Sequence, residues 1–261
     1  MPAAYENFVV DRDGRIAVLT FTREDRLNAL DAQTFRELIA AADDLESDPS
    51  VGVVILTGGG RAFVAGADIN QYVDRTVLDY VEFQRLGRRM YDRFERLRQP
   101  VIAAVNGYAL GGGFELVLVA DLVLATEGAK LGLPEVKLGL LPGGGGTQRL
   151  ARLVGRNKAK ELLMTGDFLT AAEARDMGIV NRVVPADDLL MAAHALADRL
   201  LERAPLAVQM AKQLVNDGAD ASLQTAITQD MGMTATLYDT ADAREGIAAF
   251  IEKRPPVFAG R

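Results

Sequence analysis

Apolar and polar positions along the first half of the chain switch between two periods. Residues 8–10 and 15–21 are apolar runs flanking Asp11-Arg12-Asp13-Gly14. Asp-Gly supplies the positive φ of a tight turn, so the pattern predicts a β-hairpin with residues 11–14 as its turn. Beyond Asp31, a candidate N-cap, Phe35, Leu38, Ile39, Ala42 and Leu45 recur at helical spacing. Residues 51–56 are continuously apolar and stop at Gly58-Gly59-Gly60, which predicts a strand covered on both faces. Residues 73–97 carry mixed charges around a helical apolar stripe, the mark of a helix with a solvated face.

The cycle repeats with a strand at 101–105, a glycine turn, a short helix from about Gly112 and a strand at 121–125. After a loop over 134–146 the chain becomes mainly helical. Leu189, Ala193, Leu196 and Leu200 make one stripe; Leu206, Met210, Lys212 and Leu214 belong to a further helix closed by Gly218. The expected organisation is an α/β core over residues 1–195 and a helical C-terminal region over 196–261.

Composition narrows the chemistry. The 261 residues are 49% apolar and 25% charged, an ordinary globular balance. The absence of cysteine excludes thiolate catalysis and Cys-ligated metal, and the single histidine, His194, excludes a multi-His centre. His194 lies beside an apolar helical stripe and reads as a boundary histidine. No metal and no cofactor is expected. A net charge of −7 argues against a nucleic-acid partner. The most apolar stretch, 108–125, is broken by three glycines, Glu115 and Asp121, so no membrane partner is expected. The first residues lack the basic-then-apolar order of a signal peptide, and the location expected is cytoplasmic.

Four glycine-rich points interrupt the strands: 58–60, 65–68, 111–113 and 143–146. Each could be only a tight turn. The run before residue 114 also opens a helix, where free N–H groups converge and suit an anion or a developing oxyanion. Neither a phosphate P-loop nor a dinucleotide fingerprint is present. Glu115 sits in the first turn of that helix among apolar neighbours; it either complements the helix dipole or is a functional buried acid. Glu135, after Leu133-Pro134, is either a solvated loop acid or its partner. Together the two glutamates could work as base and acid with pKa values shifted in a dry pocket.

Five segments occur in order: Arg26-Leu27-Asn28-Ala29-Leu30, Ala62-Phe63-Val64-Ala65-Gly66-Ala67-Asp68-Ile69, Asn106-Gly107-Tyr108-Ala109-Leu110-Gly111-Gly112-Gly113, Leu133-Pro134-Glu135, and Pro142-Gly143-Gly144-Gly145-Gly146-Thr147-Gln148-Arg149-Leu150. With them the chain resembles the crotonase superfamily, and most of all its enoyl-CoA hydratases, from about residue 15 to 261. The resemblance implies an α/β fold, a crotonase-like spiral of ββα units with a helical C-terminal trimerisation region. It also implies an acyl-CoA substrate, hydration of a 2-enoyl-CoA to a 3-hydroxyacyl-CoA as in fatty-acid β-oxidation, and a homo-oligomer, either a trimer or a dimer of trimers.

Carried over residue by residue, the resemblance assigns the oxyanion hole to the N–H groups of Ala67 and Gly112, the base to Glu115 and the acid to Glu135. It places Arg26, Leu27, Ala65, Asp68, Ile69, Asn70 and Gly143 around the substrate. Lys253, with Phe250 beside it, resembles the family lysine that reaches the nucleotide of a neighbouring subunit. Arg23 is a further candidate for the coenzyme A phosphates. Two departures concern the acyl pocket: Phe114 is larger than the residue many hydratases carry there, and Asn70 and Gln71 replace a more common basic residue. Isomerases of the superfamily usually keep one acid, so the pair favours hydration; an isomerase or another acyl-CoA thioester enzyme is the alternative.

Overall fold

The computed structural model describes residues 5–261. Strands Phe8–Asp13 (β1) and Ile16–Phe21 (β2) pair antiparallel, with Asp13 opposite Ile16. The hairpin is present, but its turn is only Gly14-Arg15, because residues 11–13 each find a ladder partner in β2. An edge strand can carry such polar residues with their side chains in solvent. Helix Ala32–Ser47 (α1) follows, its first turn capped by the Asp31 carboxylate, which accepts from Thr34 N at 2.8 Å.

The unit of two strands and a helix then recurs. Val53–Gly58 (β3), Ala62–Val64 (β4) and Val77–Glu95 (α2) make one turn. Val101–Val105 (β5), Tyr108–Leu110 (β6) and Gly112–Val119 (α3) make the next. Leu122–Thr126 (β7) and Lys130–Gly132 (β8) lead through a 3₁₀ segment, Pro134–Leu138, to Gly146–Val154 (α4). Both strands of the opening hairpin join a six-stranded sheet, whereas in each of the next three units the first strand joins that sheet and the second joins a four-stranded one. Each of those three turns of the spiral therefore adds one strand to each sheet. Arg156–Thr165 (α5), Leu169–Thr170 (β9), Ala171–Asp176 (α6) and Arg182–Val184 (β10) finish the two sheets, whose orders are β1-β2-β3-β5-β7-β10 and β4-β6-β8-β9.

Strands β3 and β5 are parallel, and β3 up to Leu56 and all of β5 are apolar because both faces are covered. Val54, Leu56, Ala103 and Val105 face the main core with α1, α2 and α3, whereas Val53, Ile55, Ile102 and Ala104 face Leu189–Leu201 (α7). Position 195/196 falls inside α7, which packs on the sheet through Leu196 and Ala197. The helices that leave the core are Pro205–Gly218 (α8), Leu223–Tyr238 (α9) and Ala241–Glu252 (α10). Neither α8 nor α9 buries a residue within this chain. One buried ion pair ties α8 to the core: Lys212 Nζ lies 2.7 Å from Asp121 Oδ2 and donates to the Gln99 carbonyl at 3.1 Å. His194 is half-buried on α7, its Nδ1 3.4 Å from an Asp13 carboxylate oxygen. Among the described residues no helix is long and apolar enough to cross a membrane.

Candidate active site

The site forms where β4 and β6 end. Val64 and Ala109 are register partners in this parallel pair, and three residues on from each lie Ala67 and Gly112. Leu30 N donates to Gly66 O at 2.9 Å, and Asp68 N to Leu30 O at 2.8 Å, which leaves the Ala67 N–H between them unused. Gly112 is the first residue of α3, where a helix has no acceptor for its N–H groups. Among the described residues neither N–H donates to a protein acceptor. A Cβ on Gly112 would stand 3.7 Å from Ala67 N, so the two donors are close neighbours.

Two glycines make this approach possible. Gly111 turns the chain at φ +52°, and a side chain there would press on the Glu135 carboxylate. Gly113 packs the first turn of α3 onto β4, where any Cβ would run into the Val64 carbonyl.

Glu115 is the one acid in a helix whose other residues are apolar and, except for Leu118, buried, and is itself 3% exposed. Its Oε1 accepts from Gly144 N at 2.8 Å and Gly146 N at 2.7 Å. Among the described residues Oε2 has no protein donor. Burial pushes its pKa up to about 7; Glu135 adds to the rise, while the two N–H groups and Arg149 oppose it. Glu135 stands on the 3₁₀ segment, reached by Pro134 at its first position. Burial raises its pKa too, and its Oε2 is buried with no hydrogen-bond partner among the described residues. An uncharged carboxyl is the less costly form in such a place.

Both glutamates, Ala67 and Gly112 line one cavity of about 120 Å³. Ala65, Ile69 and Gly143 line it as well. Arg26, Leu27, Asp68, Asn70, Phe250 and Lys253 do not. Leu27 acts through its backbone, accepting from Ala65 N at 3.0 Å. Asp68 holds Asn70 N and Nδ2 at 3.1 and 2.8 Å and pairs with Arg23 at 3.5 Å. Arg23 is further occupied by Asp31 at 2.8 Å and by the Ala29 carbonyl, whereas Arg26 is exposed beside Asp25. Phe250 is 86% exposed on α10 and Lys253 closes that helix at φ +57°.

Phe114 corrects an expectation: it is buried in the main core and does not line the cavity. The far wall comes from α2 instead, through Tyr80, Phe83, Gln84, Gly87 and Tyr91, with Tyr72 nearby. The fully buried Tyr91 hydroxyl donates to Gly112 O at 2.9 Å. Burial, with the two carboxylates adding to it, raises the Tyr72 phenol to about 12. Tyr80, Phe83, Gln84, Gly87 and Tyr91 lie at helical spacing in the sequence, within the segment whose apolar stripe predicts a helix with one solvated face. Among the described residues no group of acidic or histidine side chains is arranged to hold a metal ion.

Comparison with known proteins adds an independent line. The family described as "Enoyl-CoA hydratase/isomerase" matches residues 11–261. A protein of Mycobacterium tuberculosis named "Probable enoyl-CoA hydratase" is 44% identical over 257 residues, 98% of this chain and 99% of that protein. The "Short-chain-enoyl-CoA hydratase" of Clostridium acetobutylicum is 41% identical over 249 residues, 95% of each chain. The crystal structure of an enoyl-CoA hydratase from Bacillus anthracis superposes with a TM-score of 0.95 at 38% identity, covering 98% of this chain and 100% of that one.

Proposed function

The chain belongs to the enoyl-CoA hydratase/isomerase family and is an enoyl-CoA hydratase, and from that premise we propose how its own residues add water to the substrate. The thioester oxygen of a 2-enoyl-CoA sits between the N–H groups of Ala67 and Gly112. Adding hydroxide character to C3 moves charge onto that oxygen, where two donors already stand in place and one is backed by the α3 N-terminus. Glu115 takes the proton from the attacking water through Oε2, the oxygen its backbone donors leave available. Glu135 supplies a proton to C2 as the enolate collapses, so that one OH and one H have added across the double bond, and the proton taken up by Glu115 returns to Glu135 to restore the starting state.

The observation that carries this reading is the convergence in one cavity of two unused N–H groups, the buried Glu115 carboxyl and the half-buried Glu135 carboxyl. At about 7, Glu115 is ionised in a large fraction of molecules at neutral pH, as a base must be, and burial raises the Glu135 carboxyl above its ordinary range, in the direction an acid needs. Two such groups share their protons as a pair, so the pH profile belongs to both.

Two further parts of the proposal concern the C-terminal region. Helices α8 and α9 bury nothing within the chain, and α9 exposes Leu223, Ile227, Met231 and Tyr238, as expected of a region that packs against other subunits. Lys253 then serves the coenzyme A of a neighbouring subunit. No metal or other cofactor enters the proposed steps.

The test follows the loss of enoyl-thioester absorbance with crotonyl-CoA for the native protein, Glu115→Gln and Glu135→Gln. Rapid loss in the native protein and a fall of about 10²-fold or more in both variants is expected. Turnover that survives either substitution would refute the two-glutamate scheme. A native protein that shifts a 3-enoyl double bond but hydrates nothing would instead be an isomerase.

A further inference from the structure

Arg149 has no part in the proposed reaction, yet its guanidinium is closely bound beside the site. The side chain is 17% exposed. Nη1 donates to Gly144 O at 2.7 Å, Nε and Nη2 donate to the two Glu95 oxygens at 2.7 and 2.6 Å, and Nη2 also reaches Asp92 at 3.3 Å. Glu95 and Asp92 stand on α2, whereas Gly144 is one of the two residues whose N–H groups hold Glu115 Oε1. The planar fork of a guanidinium meets a carboxylate and a carbonyl together, which an ammonium cannot do.

We propose that Arg149 is a positioning residue, fastening the 143–146 loop to α2 so that Gly144 and Gly146 fix Glu115 Oε1 and leave Oε2 to the substrate water. The proposal rests on reading Glu115 as the base. Losing Arg149 has two separable consequences. The loop loses its anchor, which misplaces the carboxyl. Glu115 also loses a neighbouring positive charge that favours its ionised form. The other groups facing Glu115 remain in the variant: Glu135 from the 3₁₀ segment, the Tyr91 and Tyr72 hydroxyls, and Asp92 and Glu95 behind the arginine.

The experiment compares native protein, Arg149→Gln and Arg149→Lys. Carboxyl carbon-13 labelling of glutamate, with Glu115 assigned through Glu115→Gln, reads the Glu115 titration directly. The midpoint is expected to rise by about one pH unit in Arg149→Gln and to stay near the native value in Arg149→Lys. With crotonyl-CoA, kcat is expected to fall about tenfold or more in both variants while KM stays within about twofold, since lysine keeps the charge without the fork. An unmoved midpoint in Arg149→Gln, or full kcat in either variant, would overturn the proposal. The titration needs no turnover. A native protein inert toward crotonyl-CoA would therefore count against the hydration mechanism, and the midpoint would still decide the role of Arg149. If Arg149→Gln does not fold, the kcat and KM of Arg149→Lys decide it.

Discussion

The Tyr91 hydroxyl, on α2, donates to the carbonyl of Gly112 at the first position of α3, 2.9 Å away. The bond couples the helix that makes the far wall of the cavity to the residue whose N–H is one proposed oxyanion donor. Gly112 O keeps its place in the α3 ladder without Tyr91, so Tyr91→Phe removes one hydrogen bond and little else. Unfolding in urea is expected to show a loss of about 1 kcal/mol. If the bond also aims the Gly112 N–H, crotonyl-CoA turnover falls by up to about tenfold with KM little changed. A stability loss with native turnover would make Tyr91 purely structural.

The raised pKa of Glu115 carries a stability signature. Its folded value of about 7 lies above the ordinary 4.5, so the folded state binds this proton more tightly than the unfolded chain. The stability this gives is complete below pH 4.5 and is lost as the pH rises through 7. Glu115→Gln, uncharged at every pH and still able to accept from Gly144 and Gly146, escapes the loss. The stability of the variant relative to the native protein should therefore increase by about 3 kcal/mol between pH 4 and pH 8. Parallel stability curves across that range would show that Glu115 is not held near 7.

Lys212 and Asp121 form the buried link between α8 and the strand region, with side chains only 8% and 17% exposed. Burial lowers the lysine pKa and raises that of the aspartate, so each charge depends on the other. Lys212→Met leaves Asp121 with the Val101 N–H alone, and a loss of about 3–5 kcal/mol is expected. Adding Asp121→Asn should recover part of that loss. A urea double-mutant cycle with no coupling would show that the pair is not what holds α8.

Lys253 offers a test of assembly and binding together. In the proposed oligomer Lys253→Ala should weaken coenzyme A binding about two- to fivefold at low salt, and less at high salt. Unchanged affinity with unchanged salt dependence would remove it from the site.

Much of this architecture was legible because strands buried on both faces have no freedom to be polar. Residues 101–105 are all apolar and form β5 over that same range. The start of α3 falls at Gly112, where the pattern put it, at a glycine run that could also have been only a tight turn. What stayed hidden needed the third dimension. Helix α3 is buried nearly all round, so periodicity could not say that Phe114 points into the core and Glu115 into the cavity. The stripe of α2 fixes which face is covered, not that Tyr80 and Gln84 meet a cavity. Arg149 finds Glu95 across 54 residues of sequence, beyond the reach of any local pattern. The expected end of the core at 195 follows from where the pattern becomes mainly helical, and α7, which spans that position, packs on the sheet through Leu196 and Ala197.

The pairing of β4 with β6 has a consequence for what the fold tolerates. Val64 and Ala109 are partners across adjacent parallel strands, and Gly66 and Gly111, at φ +123° and +52°, turn the chain just before Ala67 and Gly112. The two N–H groups therefore take their relative placement from one strand pair and two glycine turns. Lengthening a surface loop elsewhere in the spiral would leave that placement intact, whereas a slip of one residue between β4 and β6 would carry the two turns out of step.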